Sequence, residues 1–306
     1  MTARTPGIVE LDGKVSEFAI DLGLRLFFAS ARLMPYERRV RSAGAFIERV
    51  VAPLTDVKER VYGNLKHVFP DMPEDECKRI FSGCVCNFTR IFMETYATDQ
   101  FVRHVSQRMP VGPGLSEIER AAAAGQPVIL VTGHFGNPQA GRVQLIRRGH
   151  EVGCVYRAMN NPYFNRHYVR TMKRIGEPVF PRGNVGTKEF VRFVRDGGIT
   201  LILNDQYSRE GDQLNFMGLP TRTNTAVARI AVKTGALLVP FYAVRRPDGL
   251  EFDVEFEMPI RHGDHSEMTQ ELNRSLEIRV RAHPEQWYWI HRRWKDTINV
   301  AALGEG

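Results

Sequence analysis

The sequence is poor in cysteine, and its few thiols are not arranged for chemistry. Cys77, Cys84, Cys86 and Cys154 form no Cys-x-x-Cys pair, and no histidine stands at zinc-finger spacing from them. They read as buried, unreactive thiols in a reduced, cytosol-facing protein. No G-x-S-x-G elbow, P-loop, G-x-G-x-x-G or H-E-x-x-H string occurs. Their absence sets aside elbow-type hydrolases, P-loop phosphate chemistry, dinucleotide binding and zinc peptidases. Low-complexity tracts, internal repeats and a recognisable secretory leader are also missing. No apolar run of spanning length is free of charge. The best candidate, residues 18–34, is interrupted by Asp21, Arg25 and Arg32 and preceded by Glu17. Each such charge costs about 2.5–3.5 kcal/mol at a bilayer centre.

What is present begins with that same stretch. At about 100° per residue, Glu17, Asp21, Arg25 and Arg32 fall within roughly 80° of arc. The remaining circumference carries Phe18, Ile20, Leu22, Leu24, Leu26, Phe27 and Phe28. This is the pattern of a helix lying in a membrane interface, although a helix packed on the protein's own core shares it. Pro35 ends it, and Arg38, Arg39 and Arg41 follow, suited to anionic headgroups. The net charge of +7 favours anionic partners in general. Basic residues are scattered and no nucleic-acid-binding motif stands out, so nucleic acid is not an expected partner.

The 306 residues, 43% of them hydrophobic, are enough to bury a substantial core. Residues 45–110 read as helical, with breaks at Phe69-Pro70-Asp71-Met72-Pro73 and around Met109-Pro110 and Gly112-Pro113-Gly114. Beyond 127 short β-branched runs alternate with helical stretches. Strands are expected at 128–131, 152–156, 199–203, 237–243 and 251–257. Helices are expected at 163–175, 187–196 and 224–234, with a final one from about 268 to 294. This alternation predicts an α/β fold: a mainly parallel central sheet flanked by helices, with an antiparallel edge and an N-terminal helical region before it.

In open α/β sheets, sites form beyond the carboxyl ends of the strands. Two polar clusters stand there: Thr132-Gly133-His134-Phe135-Gly136-Asn137 after one strand and Asn204-Asp205-Gln206 after another. A histidine and a carboxylate on one rim make an acid/base pair. His134 would take a proton from a hydroxyl, and Asp205 would hold its tautomer. A lone histidine at a strand end can equally serve as a structural hydrogen bonder; the paired carboxylate favours the catalytic reading. Arg157, just past the strand 152–156, suits a phosphate. Arg182, Arg222 and Arg292 are further phosphate candidates. Trp287, Ile290 and Trp294 recur at helical spacing, as a core-facing stripe or an acyl-chain wall.

In order along the chain, His134-Phe135-Gly136-Asn137, the segment from Tyr156 through Arg157, Asn160 and Asn161 to Asn165, Asn204-Asp205-Gln206 and Asn215-Phe216-Met217-Gly218 resemble the motifs of the bacterial lipid A late acyltransferases. The upstream Asn64-Leu65-Lys66-His67-Val68-Phe69-Pro70 and the closing run from Pro284 to Trp294 match as well, so the resemblance covers residues 45–295. It implies transfer of a fatty acyl chain from acyl carrier protein to a hydroxyl of an anionic lipid A precursor. It places the protein at the cytoplasmic face of the inner membrane, peripheral or monotopic, and implies no cofactor and no metal. It divides the chain into a membrane-associating segment, 1–44, and an acyltransferase domain, 45–306. With the strand-end reading, this leaves His134 as the expected base, with Asn137, Arg157, Asn160, Arg182 and Arg292 toward substrate. Asn137 and backbone amides after Gly133 are the candidates for the oxyanion.

One departure stands out. The family's first motif carries an acid five residues after its histidine, where this sequence has Gln139. A glutamine carbonyl can orient a ring N–H but cannot stabilise an imidazolium by charge. Either Asp205 supplies that charge, or the chain is a weakened, lipid-binding member. A glycerolipid or lysophospholipid acyltransferase is the nearest alternative enzyme, but the Phe-Pro-Glu-Gly block usual there is absent.

Overall fold

The computed structural model describes residues 33–51 and 55–298, together with 18, 21–23, 25–26 and 29–30. Much of the expected amphipathic helix over 18–34, including Glu17 and Arg32, lies outside the described residues. Those described before Ser30 are helical. Among them Asp21 is buried and paired with Arg25 at 2.8 Å, while Phe18, Leu22 and Leu26 are exposed.

Helices α1 (Tyr36–Phe46), α2 (Val57–Val68), α3 (Glu74–Tyr96), α4 (Thr98–Val105) and α5 (Gly114–Ala123) precede the first strand. The boundary expected at residue 44 falls inside α1. There Tyr36, Val40 and Ala43 are buried against Met93, Tyr96 and Leu250. Helix α3 opens with Glu74, Asp75 and Glu76, acids that suit the positive end of its dipole. Then β1 (Val128–Thr132), α6 (Pro138–Ile146), β2 (Val152–Tyr156), α7 (Pro162–Ile175), β3 (Val179–Pro181), α8 (Asn184–Arg195) and β4 (Ile199–Leu203) alternate. A hairpin of β5 (Tyr207–Phe216) and β6 (Leu219–Thr223) leads to α9 (Ala226–Thr234), β7 (Leu237–Arg245), β8 (Phe252–Phe256) and α10 (His265–Ala282).

The main sheet has the order β3-β2-β4-β1-β7-β8. Every pairing is parallel except β7–β8, which is antiparallel at one edge, as the tight turn at 246–249 predicted. Strand β1 sits inside and is buried on both faces, hence its unbroken apolar run. Val128 and Leu130 meet α4, α5, α6 and α7 on one side, and Ile129 and Val131 meet α8, α9 and α10 on the other. A third core joins α2 and α3 to Phe135, Phe216, Trp287, Trp289 and Trp294.

Three features differ from the sequence expectation. The last helix ends at Ala282 instead of running to 294. Pro284 has no N–H to extend it and pushes His283 into an extended conformation (φ −138°, ψ 64°). The chain continues as a short 3-10 turn (Pro284–Gln286) and then irregularly, so Trp287, Ile290 and Trp294 are not a helical stripe. Trp287 and Trp294 are nonetheless core residues. Second, the hairpin β5–β6 was not foreseen. Its turn needs two left-handed residues, Met217 (φ 57°) and Gly218 (φ 81°), and methionine is not a usual signal for one. Third, helix α5 starts at the end of the Gly112-Pro113-Gly114 break and fills a stretch where the sequence pattern places no element.

Candidate active site

Strands β1 and β4 lie side by side in parallel register, with Thr132 opposite Leu203. Two residues on, the same offset brings His134 beside Asp205. The imidazole Nδ1 is 2.7 Å from Asp205 Oδ1, and the His134 backbone amide donates to Oδ2 at 2.7 Å. The indole Nε1 of Trp287 donates to Oδ2 as well, at 2.9 Å. Asp205 is fully buried, and burial alone would push its carboxyl up. Electrostatic attraction to His134, the hydrogen bonds it donates and attraction to His291 outweigh this and hold it below the ordinary carboxylate range. An ionised Asp205 accepts Nδ1–H, which leaves the lone pair of His134 on Nε2. The ring itself is partly exposed and reaches open space.

The loop that carries His134 is held from behind. A side chain at Gly133 would have to displace the side chains behind it, since a Cβ would meet Leu276 Cδ2 at 2.8 Å and Asp205 Oδ2 at 3.0 Å. Asn137 caps α6 by accepting from the Gln139 amide, and its Nδ2 donates to Glu94 Oε2 at 2.8 Å. Glu94 is buried in a two-pronged ion pair with Arg245, whose Nε donates to Asn87 Oδ1 at 2.8 Å. Asn87 in turn donates to the carbonyls of Gly136 and Gln286, both at 3.1 Å. A desolvated pair survives only when its remaining bonds are made, and here they are made to the active loop.

Two cavities meet at His134. The larger, about 570 Å³, runs between α3 and α7 past Phe88, Ile91, Phe92, Phe164, Tyr168 and Met172. The smaller, about 290 Å³, is lined by Arg157, Arg182, Asn204, Ser208 and Asn224 with an apolar back of Phe190, Val227 and Ile230. Tyr156, Arg157, Leu203 and Gln206 line both. Strand register also sets the arginines: Tyr156 pairs with Pro181, so Arg157 and Arg182 leave adjacent strand ends. Both are exposed, and neither has a carboxylate within ion-pair distance among the described residues.

The other sequence candidates fare differently. Asn160 lines the larger cavity. Asn137 lines it too, but it is buried, its oxygen accepting from the Gln139 amide and one of its two Nδ2 hydrogens held by Glu94. Gln139 lines the cavity without touching the imidazole: its Oε1 is buried with no hydrogen-bond partner, and its amide lies by the thiol of Cys154. The carbonyl-to-ring bond considered for it is therefore not made, because Asp205 occupies Nδ1. Arg222 pairs with Asp296 at 3.4 Å. Arg292 is exposed and lines neither cavity; its neighbour Arg293 is the buried one. Arg293 donates to the backbone oxygens of Gln206 (3.1 Å) and Arg222 (3.2 Å) and to Thr223 Oγ1 (2.7 Å), and burial pushes its guanidinium down to about 10.

Sequence reasoning missed His291. Its ring lies 4.5 Å from that of His134, edge-on, and 4.5 Å from Tyr288. Burial first, then the charge of His134, pushes its imidazole down to about 3, so it is neutral at physiological pH. The signal was available: Pro284 breaks the helical spacing that made this run look like core packing. His134, Asp205 and His291 offer ligand-type atoms within 4.8 Å of one another, a cluster that chain spacing did not suggest. The three N–H donors aimed at the Asp205 oxygens suit a carboxylate held for proton chemistry better than one facing a cation.

Residues 15–296 match the family described as bacterial lipid A biosynthesis acyltransferase. The chain belongs to that family. It is thus a member of an acyltransferase family, as its motifs suggested. A phosphatidylinositol mannoside acyltransferase of Mycobacterium tuberculosis is 25% identical over 59% of this chain, and the chain spans 58% of that relative's length. The Mycolicibacterium smegmatis protein of the same name is 24% identical over 94% of both chains. The lipid A biosynthesis lauroyltransferase of Escherichia coli is 26% identical over 77% of this chain and 78% of its own.

Proposed function

We propose that this protein moves a fatty acyl group from acyl carrier protein onto a hydroxyl of an anionic lipid A precursor, with His134 as general base and Asp205 as its partner. The observation that carries the reading is the His134–Asp205 pair standing where an apolar cavity and an arginine-lined one meet. The apolar cavity suits the acyl chain. Arg157 and Arg182 suit phosphate oxygens of the acceptor, which guanidinium groups hold in pairs. The acceptor hydroxyl gives its proton to Nε2 and its oxygen attacks the thioester carbon. Asp205 stabilises the imidazolium that results.

The reaction belongs at a membrane surface on the cytoplasmic side. Asp21 turns inward onto Arg25 while Phe18, Leu22, Leu26 and Leu33 are left exposed, as for a helix resting in lipid. Among the described residues no helix is long and apolar enough to cross a membrane.

A second reading replaces the acceptor with a mannosylated phosphatidylinositol. It is favoured by the Mycolicibacterium smegmatis relative, which aligns over nearly the whole chain. Purified protein incubated with acyl carrier protein thioesters and each acceptor, with products weighed by mass spectrometry, separates the two. Lipid A from a deletion strain should lack one secondary acyl chain under the first reading. Complete lipid A, with no transfer to either acceptor in vitro, would remove both.

A further inference from the structure

We propose that the side-chain amide of Gln206 is the donor that stabilises the oxyanion of the tetrahedral intermediate, and that His291 positions it. This rests on the reading of His134 as the base of an acyl transfer from a thioester.

An oxyanion needs N–H groups close to the base and not committed elsewhere. The His134 amide is committed to Asp205 and the Gly136 amide to the carbonyl of Gln286, at 3.0 Å. Asn137 is buried, and Glu94 holds one of its two Nδ2 hydrogens, which ties the amide back toward the core. Gln206 is different. It lines both cavities, its side chain is exposed, and its Nε2 lies 3.4 Å from His134 Nε2 and 3.2 Å from His291 Nε2. An amide nitrogen carries two hydrogens. One can rest on the lone pair of His291 and the other on that of His134.

The two contacts are unequal in purpose. His291 is neutral, so its lone pair stays available and its bond to Gln206 persists through the reaction. The bond to His134 Nε2 is long, and it must be given up when the acceptor hydroxyl docks there. The freed N–H then has the thioester carbonyl oxygen as its acceptor. The backbone of Gln206 is fixed meanwhile, because the buried Arg293 guanidinium holds its carbonyl at 3.1 Å.

The step balances. The hydroxyl oxygen bonds to the carbonyl carbon, its proton passes to His134 Nε2, and the π pair moves onto the carbonyl oxygen, where Gln206 N–H meets it. On collapse the pair returns, the C–S bond breaks, and the thiolate takes the proton from His134.

Steady-state transfer from an acyl carrier protein thioester to the acceptor tests this in the full-length protein. Gln206→Ala should lower kcat by about 10²–10³-fold, with KM for both substrates nearly unchanged. Gln206→Glu, which fills the space but donates nothing when ionised, should do the same. His291→Ala should lower kcat roughly tenfold, the cost of a loosened donor, and His291→Gln, which restores an acceptor, should recover part of it. Wild-type kcat in Gln206→Ala, or a loss carried in KM alone, would overturn the inference. Should His291→Ala fail to fold, Gln206→Ala, altering an exposed side chain, decides alone. His134→Ala in the same assay keeps the two ideas apart. Turnover in it removes the base reading itself; an inactive His134→Ala beside a fully active Gln206→Ala removes only the role of Gln206.

Discussion

Thr132 and Leu203 face each other at the ends of two parallel strands, and the pair His134–Asp205 is the continuation of that register two residues further on. The 71-residue separation along the chain is therefore no obstacle. Once β1 and β4 pair in this frame, an imidazole and a carboxylate are delivered to one rim. A shift by one residue would turn one of them to the opposite face of the sheet.

Asp205→Asn is expected to lower turnover by about 10³–10⁴-fold, because a neutral amide neither fixes the Nδ1–H tautomer nor stabilises the imidazolium. It also faces three N–H donors with only one oxygen, so the variant should lose roughly 1–3 kcal/mol of stability. Initial rates and urea unfolding of the same preparation measure both. Near-native turnover would mean that His134 works without its partner.

Gln139→Glu should give no gain in kcat. Asp205 already occupies Nδ1 of the imidazole, and Gln139 makes no bond to the ring. A carboxylate introduced beside buried Cys154 would have its pKa raised by burial. An increase in kcat would show that the missing acid limits the enzyme.

Glu94→Ala should destabilise the protein by about 3–5 kcal/mol, since it strands the buried Arg245 guanidinium and frees the Asn137 amide. Replacing both members of the pair by methionine should recover part of the stability but not the activity, because Asn87 and Asn137 would lose their anchors. Unfolding curves of the single and double variants, read with their rates, test this.

Gly136→Ala should be severe. The residue has φ 53°, and a Cβ would lie 1.7 Å from the carbonyl oxygen of Ala243. The loop can adopt the side chain only by moving away from β7, which carries His134 with it. A variant with native melting temperature and native rate would contradict the tight fit.

Acid should weaken the fold earlier than its carboxylates alone predict. His291 titrates near about 6.5 when unfolded but is pushed down to about 3 in the fold. Between those values the unfolded chain binds the extra proton, so stability rises with pH and falls as pH drops below about 6.5. Asp205 remains ionised in both states over the upper part of that window and contributes only nearer pH 4. Melting temperatures from pH 7.5 to 5 should therefore fall less in His291→Gln than in the wild type. Parallel curves would assign the acid sensitivity to other groups.

Much of this was legible without coordinates. The apolar runs at 128–131 and 199–203 marked inner strands, and the polar residues after them marked the rim, because a strand buried on both faces leaves no alternative pattern. Less legible was anything set by contacts between distant segments. Trp287, Ile290 and Trp294 have helical spacing, yet Pro284 stops the helix and tertiary packing bends the chain so that Trp287 bonds Asp205 and His291 faces His134. Arg292 and Arg293 are indistinguishable as letters; only the fold buries the second. Asn137 looked like a donor open to the rim, and only the fold buries it and ties one of its N–H groups to Glu94, 43 residues upstream.

The sequence by itself determined the layered architecture, the antiparallel edge, the family and the two polar clusters that meet at the sheet rim, because periodicity and strand-end chemistry are local properties. Tertiary structure alone decided which donors remain free around His134, how the closing segment returns to the site and where the two cavities lie. Those depend on which polar groups satisfy one another across the fold, and no local stretch of residues contains that information.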